Sequence, residues 1–243
     1  MFTNAPTFYK KYDDRYVSSI YFDDLAYSSY HENIDGDINK EKNRIRFYND
    51  DLTKIFFEIK RKNGTLCQKD VFELSKQNIN FSDLINKKFI DEILLDKAIK
   101  KYNCFSLTNF LYKFPILNVT YNREYYQCSD TGLRVTIDKN IQYKDLSGKI
   151  IIDDDSYIIE IKTDYHNIDE IDNRNYFIKK NLLLSNLKKV SAVLFRNHFD
   201  PAEFSYGPIT QVRSSKYSYG LSQIFSITGC DSLLSEEYIR AFD

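Results

Sequence analysis

Alternation of apolar and polar positions dominates the first third of the chain. Arg15–Phe22 (RYVSSIYF) is β-branched and aromatic, Asn43–Tyr48 (NRIRFY) alternates, and Ile55–Lys60 (IFFEIK) and Leu66–Leu74 follow. Such runs predict strands. Asn63-Gly64 between the last two predicts a two-residue hairpin turn, which needs residues tolerant of positive φ. Phe81–Tyr102 instead repeats its apolar residues at helical spacing and gathers Lys at its end, which predicts a helix. Strands resume at Pro115–Gln127, Leu133–Asp138, Lys149–Asp153 and Ser156–Thr163. Asn175–Leu187 and Val190–Asn197 predict helices, and from Phe199 onward the weak pattern predicts surface-packed loops. With 7 Gly and 4 Pro the chain has no long flexible linker, so a single domain over residues 1–243 is expected.

Composition narrows the picture. The 42% hydrophobic and 28% charged fractions suit a globular protein, and 20 Tyr and 18 Phe supply strand bulk in the absence of Trp. A net charge of −1 excludes a chain-wide field for nucleic acid, so no nucleic-acid partner is expected and an anion site must come from local placement. Cys67, Cys104, Cys128 and Cys230 are scattered, as are His31, His166 and His198. That pattern argues against a zinc site or disulfide framework and for a reducing, cytoplasmic setting. No apolar run reaches the roughly 20 residues of a membrane span, and the N-terminus lacks a signal-peptide core.

Side chains two apart on a strand share a face. Arg44 and Arg46 therefore oppose Ile45 and Phe47; Glu58 and Lys60 oppose Phe57 and Ile59; Arg134, Thr136 and Asp138 oppose Val135 and Ile137; Glu160 and Lys162 oppose Ile159 and Ile161. IFFEIK and YIIEIK also read as a faint internal repeat that aligns Glu58 with Glu160. Strand by strand, a solvated face explains such charges. Taken together, they describe a sheet closed with its charged face inward. A space lined by Arg and Lys needs a polyanion, because like charges crowd each other when water is excluded. Arg supplies planar donors to phosphate oxygens and Lys point charges. Carboxylates beside them call for a hard divalent cation that binds carboxylate and phosphate oxygens together.

At these residues the sequence resembles the VTC domain, the polyphosphate polymerase domain of the CYTH-like triphosphate tunnel metalloenzyme superfamily. The resemblance runs through SSIYFDD (Ser18–Asp24), the Tyr-rich segment containing Tyr30, and NRIRFY, where the family has basic-x-Arg-x-Arg-aromatic-Tyr. It continues through FEIKRKNG with Lys69, TYNREYY, RVTID, YIIEIK and the KKVS segment Lys188–Ser191, and covers about residues 15–197. Residues 198–243 form a C-terminal segment without an assigned role. The resemblance implies an eight-stranded antiparallel β-barrel tunnel with flanking helices. It implies phosphate contacts from Arg44, Arg46, Lys60, Lys69, Arg123 and Arg134, a metal ligand in Glu160, and a basic-x-Ser contact from Lys189 and Ser191 at one mouth. Arg44, Arg46, Lys60 and Arg134 are the catalytic candidates among them.

Plainer readings accompany several positions. Lys69 also fits an exposed hairpin, Ser191 a helix N-cap, and Asp23 and Asp24 a turn. Arg61 and Lys62 fit a solvated surface, and Glu58 an internal ion pair. The chain departs from the family pattern in two ways. Only 17 residues precede Ser18 (18 − 1), too few for the family's first strand and helix, so the first strand is expected to be missing or to lie upstream. Ala192 also stands where the family has a Lys after the mouth Ser.

The activity so implied is transfer of the terminal phosphoryl group of ATP to a polyphosphate chain, with Mn²⁺ or Mg²⁺ as cofactor. Such chemistry rests on positioning and charge neutralisation. Two alternatives share the site: hydrolysis of tripolyphosphate or a nucleoside triphosphate, and polyphosphate binding without turnover.

Overall fold

The computed structural model describes residues 8–64, 66–74, 79–101, 110–129, 134–162 and 215–229. Among the described residues there are eight strands: β1 (Phe8–Asp23), β2 (Lys40–Tyr48), β3 (Asp51–Asn63), β4 (Leu66–Leu74), β5 (Phe114–Cys128), β6 (Arg134–Asp145), β7 (Ile151–Asp154) and β8 (Ile158–Lys162). The helices described are α1 (Ser28–Ile34), α2 (Phe81–Ile85), α3 (Lys87–Lys101) and α4 (Lys216–Thr228). The strands form one sheet in the order β4-β3-β2-β1-β5-β6-β7, with β8 paired to β6. The pairings β1–β2, β2–β3, β3–β4 and β6–β7 are antiparallel.

The strand count matches the sequence expectation, but the barrel does not. Among the described residues β4 has β3 as its only neighbour and stands at the end of the strand order, so the sheet is open. The strands at the far end are short, four residues in β7 and five in β8 against sixteen in β1. So few residues leave little ladder to extend.

The chain divides into two compact units. One comprises residues 1–14, 124–137 and 158–213; the other comprises 15–123, 138–157 and 214–243. In the first, Val135 and Ile137 pack with Phe8, Tyr126 and Ile159, and Tyr12 meets Tyr125 edge-on.

The larger unit shows why the strands alternate. One register row runs Ile20–Ile45–Phe57–Phe72 across β1 to β4, and all four side chains are buried. The next row, Tyr21–Arg44–Glu58–Val71, points to the opposite face. Leu84, Ile90, Ile93, Leu94 and Phe110 cover the apolar face. Burying it is the main stabilising term, at about 25 cal/mol per Å² of apolar surface. The polar face is therefore fixed by the same alternation that builds the core.

The helix expected over Phe81–Tyr102 is split. Asn86 has extended backbone between α2 and α3, and its side chain accepts from the Phe89 amide, capping the second helix afresh. Asn80 and Asp83 form a reciprocal capping box on α2. A second difference lies in the C-terminal segment: Lys216–Thr228 is a helix, where loops were expected. Its apolar side, Tyr217, Leu221 and Ile224, is buried. Gly220 is required there, because a Cβ would stand 2.2 Å from Tyr143 Cδ1 and 3.0 Å from Leu117 Cδ2. The helices expected at Asn175–Leu187 and Val190–Asn197 lie outside the described residues.

Candidate functional site

The polar face of the larger unit gathers basic side chains around two tyrosines. Arg44 Nε and Nη2 both reach Oε2 of Glu58, at 2.7 and 2.6 Å, and Arg44 Nη1 donates to the Tyr21 hydroxyl at 3.3 Å. Arg46 donates to Ser19 Oγ and to the Tyr121 hydroxyl, each at 3.1 Å, and its Nη1 lies 3.9 Å from Glu58 Oε2. Lys69 donates to the other Glu58 oxygen at 2.6 Å. Lys60 is exposed, directly opposite Lys69 and Lys42 in register.

A second knot lies on β5 and β6. Arg123 grips both oxygens of Asp138, with Nη2 to Oδ2 at 2.7 Å, and Asp138 is fully buried. Lys216, from the first turn of α4, also reaches Asp138 Oδ2, at 2.6 Å. The Arg123 guanidinium and the Lys216 ammonium both lie over the Tyr121 ring, at 5.2 and 4.8 Å from its centroid. Tyr217 stacks on Tyr21 and donates to Asp23 at 2.6 Å, which holds the helix turn against this face.

Among the described residues, cations outnumber carboxylates on this face. Lys42, Arg44, Arg46, Lys60, Lys69, Arg123 and Lys216 share it with the ion-paired Glu58 and Asp138 and with the exposed Glu73, which ends the register row Ser19–Arg46–Phe56. Asp23, at the end of the face, is taken up by Tyr217 and by the amides of Ser29 and Tyr30. Lys40 and Lys62, opposite each other in register, prolong the basic strip.

The electrostatics follow. Burial raises the Glu58 carboxyl, but Arg44, Arg46 and Lys69 outweigh it and hold it at about 2. Asp138 is lowered as well: Arg123 and Lys216 overcome its burial. Tyr21 is buried, which raises a phenol, yet Arg44, Arg46 and Lys216 bring it below its ordinary value. Burial pulls the Lys42 ammonium down to about 8, and Lys60, Lys40 and Arg44 push the same way.

The structure brings together Arg44, Arg46, Lys60, Lys69 and Arg123 of the sequence candidates. Arg134 and Glu160 belong to the other unit, on β6 and β8, where Arg134 is exposed and Glu160 half-buried. Lys189 and Ser191 lie outside the described residues. Glu58 takes the ion-pair reading, with Arg44 and Lys69 as closest partners. Asp23 and Asp24 are turn residues, accepting from the amides of Ser29 and Tyr30 and of Ala26 and Ser28. Arg61 departs from expectation: it is half-buried between Glu41, directly opposite it in register, and Asp70, two positions along β4 from its register partner Gln68.

Sequence reasoning missed Ser215, Lys216 and Tyr217. A signal was present: Arg213-Ser214-Ser215-Lys216 carries a basic-x-Ser order followed by the Lys that Lys189–Ala192 lacks.

The sequence model of the VTC domain family matches residues 3–193. The chain belongs to the VTC domain family. Membership points to polyphosphate-related chemistry, and the basic face described above is consistent with a phosphate ligand. No curated protein matches the chain. Among solved structures it is similar to PH1819 of Pyrococcus horikoshii OT3, at 16% identity and a TM-score of 0.42, over 90% of this chain and 89% of that one. A likeness at that level carries no argument. No helix among the described residues is long and apolar enough to cross a membrane.

A Mg²⁺ or Mn²⁺ site must be judged by its donors. Among the described residues no three His, Cys, Asp or Glu side chains cluster as a cage. Glu58 has both oxygens engaged by cations. Glu160, on β8, is half-buried.

Proposed function

We propose that this VTC domain binds a phosphate polyanion on the basic face and transfers the terminal phosphoryl group of ATP to a polyphosphate chain. The observation that carries the reading is the convergence of seven cations from β2, β3, β4, β5 and α4 on a face whose described carboxylates are fewer, Glu58 and Asp138 among them being already ion-paired. A polyanion would relieve that crowding, and Arg44, Arg46, Arg123 and Lys216 are already held in place by hydrogen bonds and ion pairs. Donors fixed before the ligand arrives lose little freedom on binding, which is how electrostatic preorganisation stabilises charge in a transition state.

In this reading Arg44, Arg46 and Arg123 hold the triphosphate, and Lys60, Lys69 and Lys216 neutralise the chain. A terminal phosphate oxygen of the acceptor attacks the γ-phosphorus, and the bond to the β-γ bridging oxygen breaks, releasing ADP. The family resemblance also assigns phosphate contacts to Arg134, Lys189 and Ser191. Glu160 would hold the divalent cation, which supplies charge neutralisation at the phosphate oxygens. In the family's closed barrel this face would be the tunnel lining.

One second reading has a specific support. The open sheet favours a module that holds polyphosphate without turnover. Calorimetry with tripolyphosphate at low and high salt, followed by a Mn²⁺-dependent assay that resolves polyphosphate from free phosphate, separates the cases. Salt-sensitive binding with polyphosphate as product supports the polymerase. Free phosphate alone makes the domain a hydrolase, and binding without turnover makes it a binder. No binding at millimolar ligand in low salt removes all three.

A further inference from the structure

Lys42 stands apart from the other cations of the basic face. Arg44 and Lys69 share Glu58, and Arg123 and Lys216 share Asp138. Lys42 has only neutral partners: its Nζ donates to Asn33 Oδ1 on α1 at 2.9 Å and to Ser215 Oγ, the N-cap of α4, at 2.8 Å. No carboxylate lies within ion-pair distance of it among the described residues. It is half-buried, opposite Lys60 in register and two positions from Arg44 on the same face.

An ammonium donates three hydrogen bonds. Two of those of Lys42 are spent on oxygens that tie α1 and α4 to the strand, which leaves a third donor and an uncompensated charge. Such a group is costly without an anion, because burial and like charges both disfavour its charged form. A phosphate oxygen would reverse both effects.

We propose that Lys42 is a further anion-binding residue of this site, and that it completes its protonation when the phosphate polyanion arrives. The proposal rests on the polyanion reading above and deepens it: binding is linked to proton uptake at one named amine. The groups that bear on Lys42 are Tyr21 from β1, Lys40 and Arg44 from β2, Lys60 from β3, Asn33 from α1 and Ser215 from α4. None of them is an acid that could supply the missing charge in place of the ligand, except the Tyr21 phenol, which Arg44 already engages. With the free ammonium near 8, the amine is about half protonated at that pH in the empty site. Polyanion affinity is then full below pH 8 and falls as the pH rises through it, because each binding event must also capture a proton.

The experiment is calorimetric titration of the full chain with tripolyphosphate at pH 8, in two buffers of different ionisation enthalpy. Wild type is compared with Lys42→Arg and Lys42→Gln. Arg stays charged at this pH, so the difference between wild type and Lys42→Arg isolates the lysine from the ligand's own protons and from Tyr21. The expected result is about half a proton more taken up by wild type than by Lys42→Arg. Lys42→Gln should bind roughly tenfold or more weakly at pH 7, the loss of a charge-assisted contact. Thermal melts of both variants confirm that each is folded. Equal proton uptake by wild type and Lys42→Arg, or Lys42→Gln binding as tightly as wild type, overturns this proposal alone. A wild-type chain that binds no tripolyphosphate overturns the polyanion reading and this proposal with it.

Discussion

Lys69 Nζ lies 2.6 Å from Oε1 of Glu58, so the exposed end of a hairpin lysine closes over a carboxylate whose side chain is only 5% exposed. Lys69 itself is 45% exposed. Glu58 therefore holds Arg44, Arg46 and Lys69 together on this face, and under the proposed function a phosphate ligand would compete with it for them. Glu58→Gln is expected to destabilise the ligand-free protein by about 3 kcal/mol, the cost of leaving buried partners of an ion pair uncompensated. It should also tighten tripolyphosphate binding, since the ligand no longer competes with the carboxylate. Melts with and without ligand test both signs. A variant that loses stability and affinity together would show that Glu58 orients the cations for the ligand.

The same carboxylate sets an acid limit. Its folded value of about 2 lies below its ordinary 4.5. A depressed carboxyl contributes stability that is present above the unfolded value and lost as pH falls through the folded one. Ligand-free stability should therefore decline from about pH 5 towards pH 2, by about 3 kcal/mol from Glu58. Asp138, also lowered, adds to the decline. Chemical denaturation across that range should show a shallower fall in Glu58→Gln. Lys42 acts at the other end of the pH range with the same sign, because its folded value also lies below the unfolded one: the ligand-free protein should gain stability as pH rises from about 8 towards 10.5.

Much of this was readable from the chain and some was not, for physical reasons. Ile20, Ile45, Phe57 and Phe72 announce their strands because a half-buried sheet imposes period two, and the same period puts Arg44, Arg46 and Glu58 on the other face. Helix α1 has no apolar stripe. It is held from outside, by Asp23 accepting from the amides of Ser29 and Tyr30 and by Lys113 donating to Ser29 Oγ. Helix α4 was obscured because Ser and Gly dilute its buried positions. Closure of the sheet was inferred from the charged faces alone, and a face says nothing about whether edge strands meet. Lys216 reaches Asp138 from 78 residues away in sequence (216 − 138), a contact that no local pattern encodes.

Docking of α4 onto the sheet gives a sharp steric test. Gly220→Ala gains up to about 1 kcal/mol of helix propensity, yet its Cβ would stand 2.2 Å from Tyr143 Cδ1. Tyr143 is almost fully buried and cannot swing away freely. Overpacking of this kind costs about 1–3 kcal/mol, so the net effect is destabilising. Lys216 should be displaced with the helix, weakening tripolyphosphate binding as well. Tyr217→Phe separates the two effects: it keeps the stack on Tyr21 and removes only the hydroxyl that Asp23 accepts from. It should cost about 1–3 kcal/mol in the melt, as buried hydrogen bonds do when one partner is lost.

Glu160 and Glu58 make the decisive pair for the chemistry. They occupy equivalent places in IFFEIK and YIIEIK, and both oxygens of Glu58 are engaged, by Arg44 and Lys69. If Glu160 holds the cation, Glu160→Gln should keep tripolyphosphate binding, lose Mn²⁺ affinity and lose nearly all turnover, because hard cations prefer charged oxygen ligands. Glu58→Gln should keep Mn²⁺ affinity. Mn²⁺ binding is read by water proton relaxation, which is independent of turnover, and ATP consumption is followed in parallel. Loss of Mn²⁺ affinity in Glu58→Gln alone would transfer the metal role to the carboxylate that the structure shows in ion pairs. Unchanged Mn²⁺ affinity in both variants would remove the metal assignment from either glutamate and leave the basic face as a site for the polyanion alone.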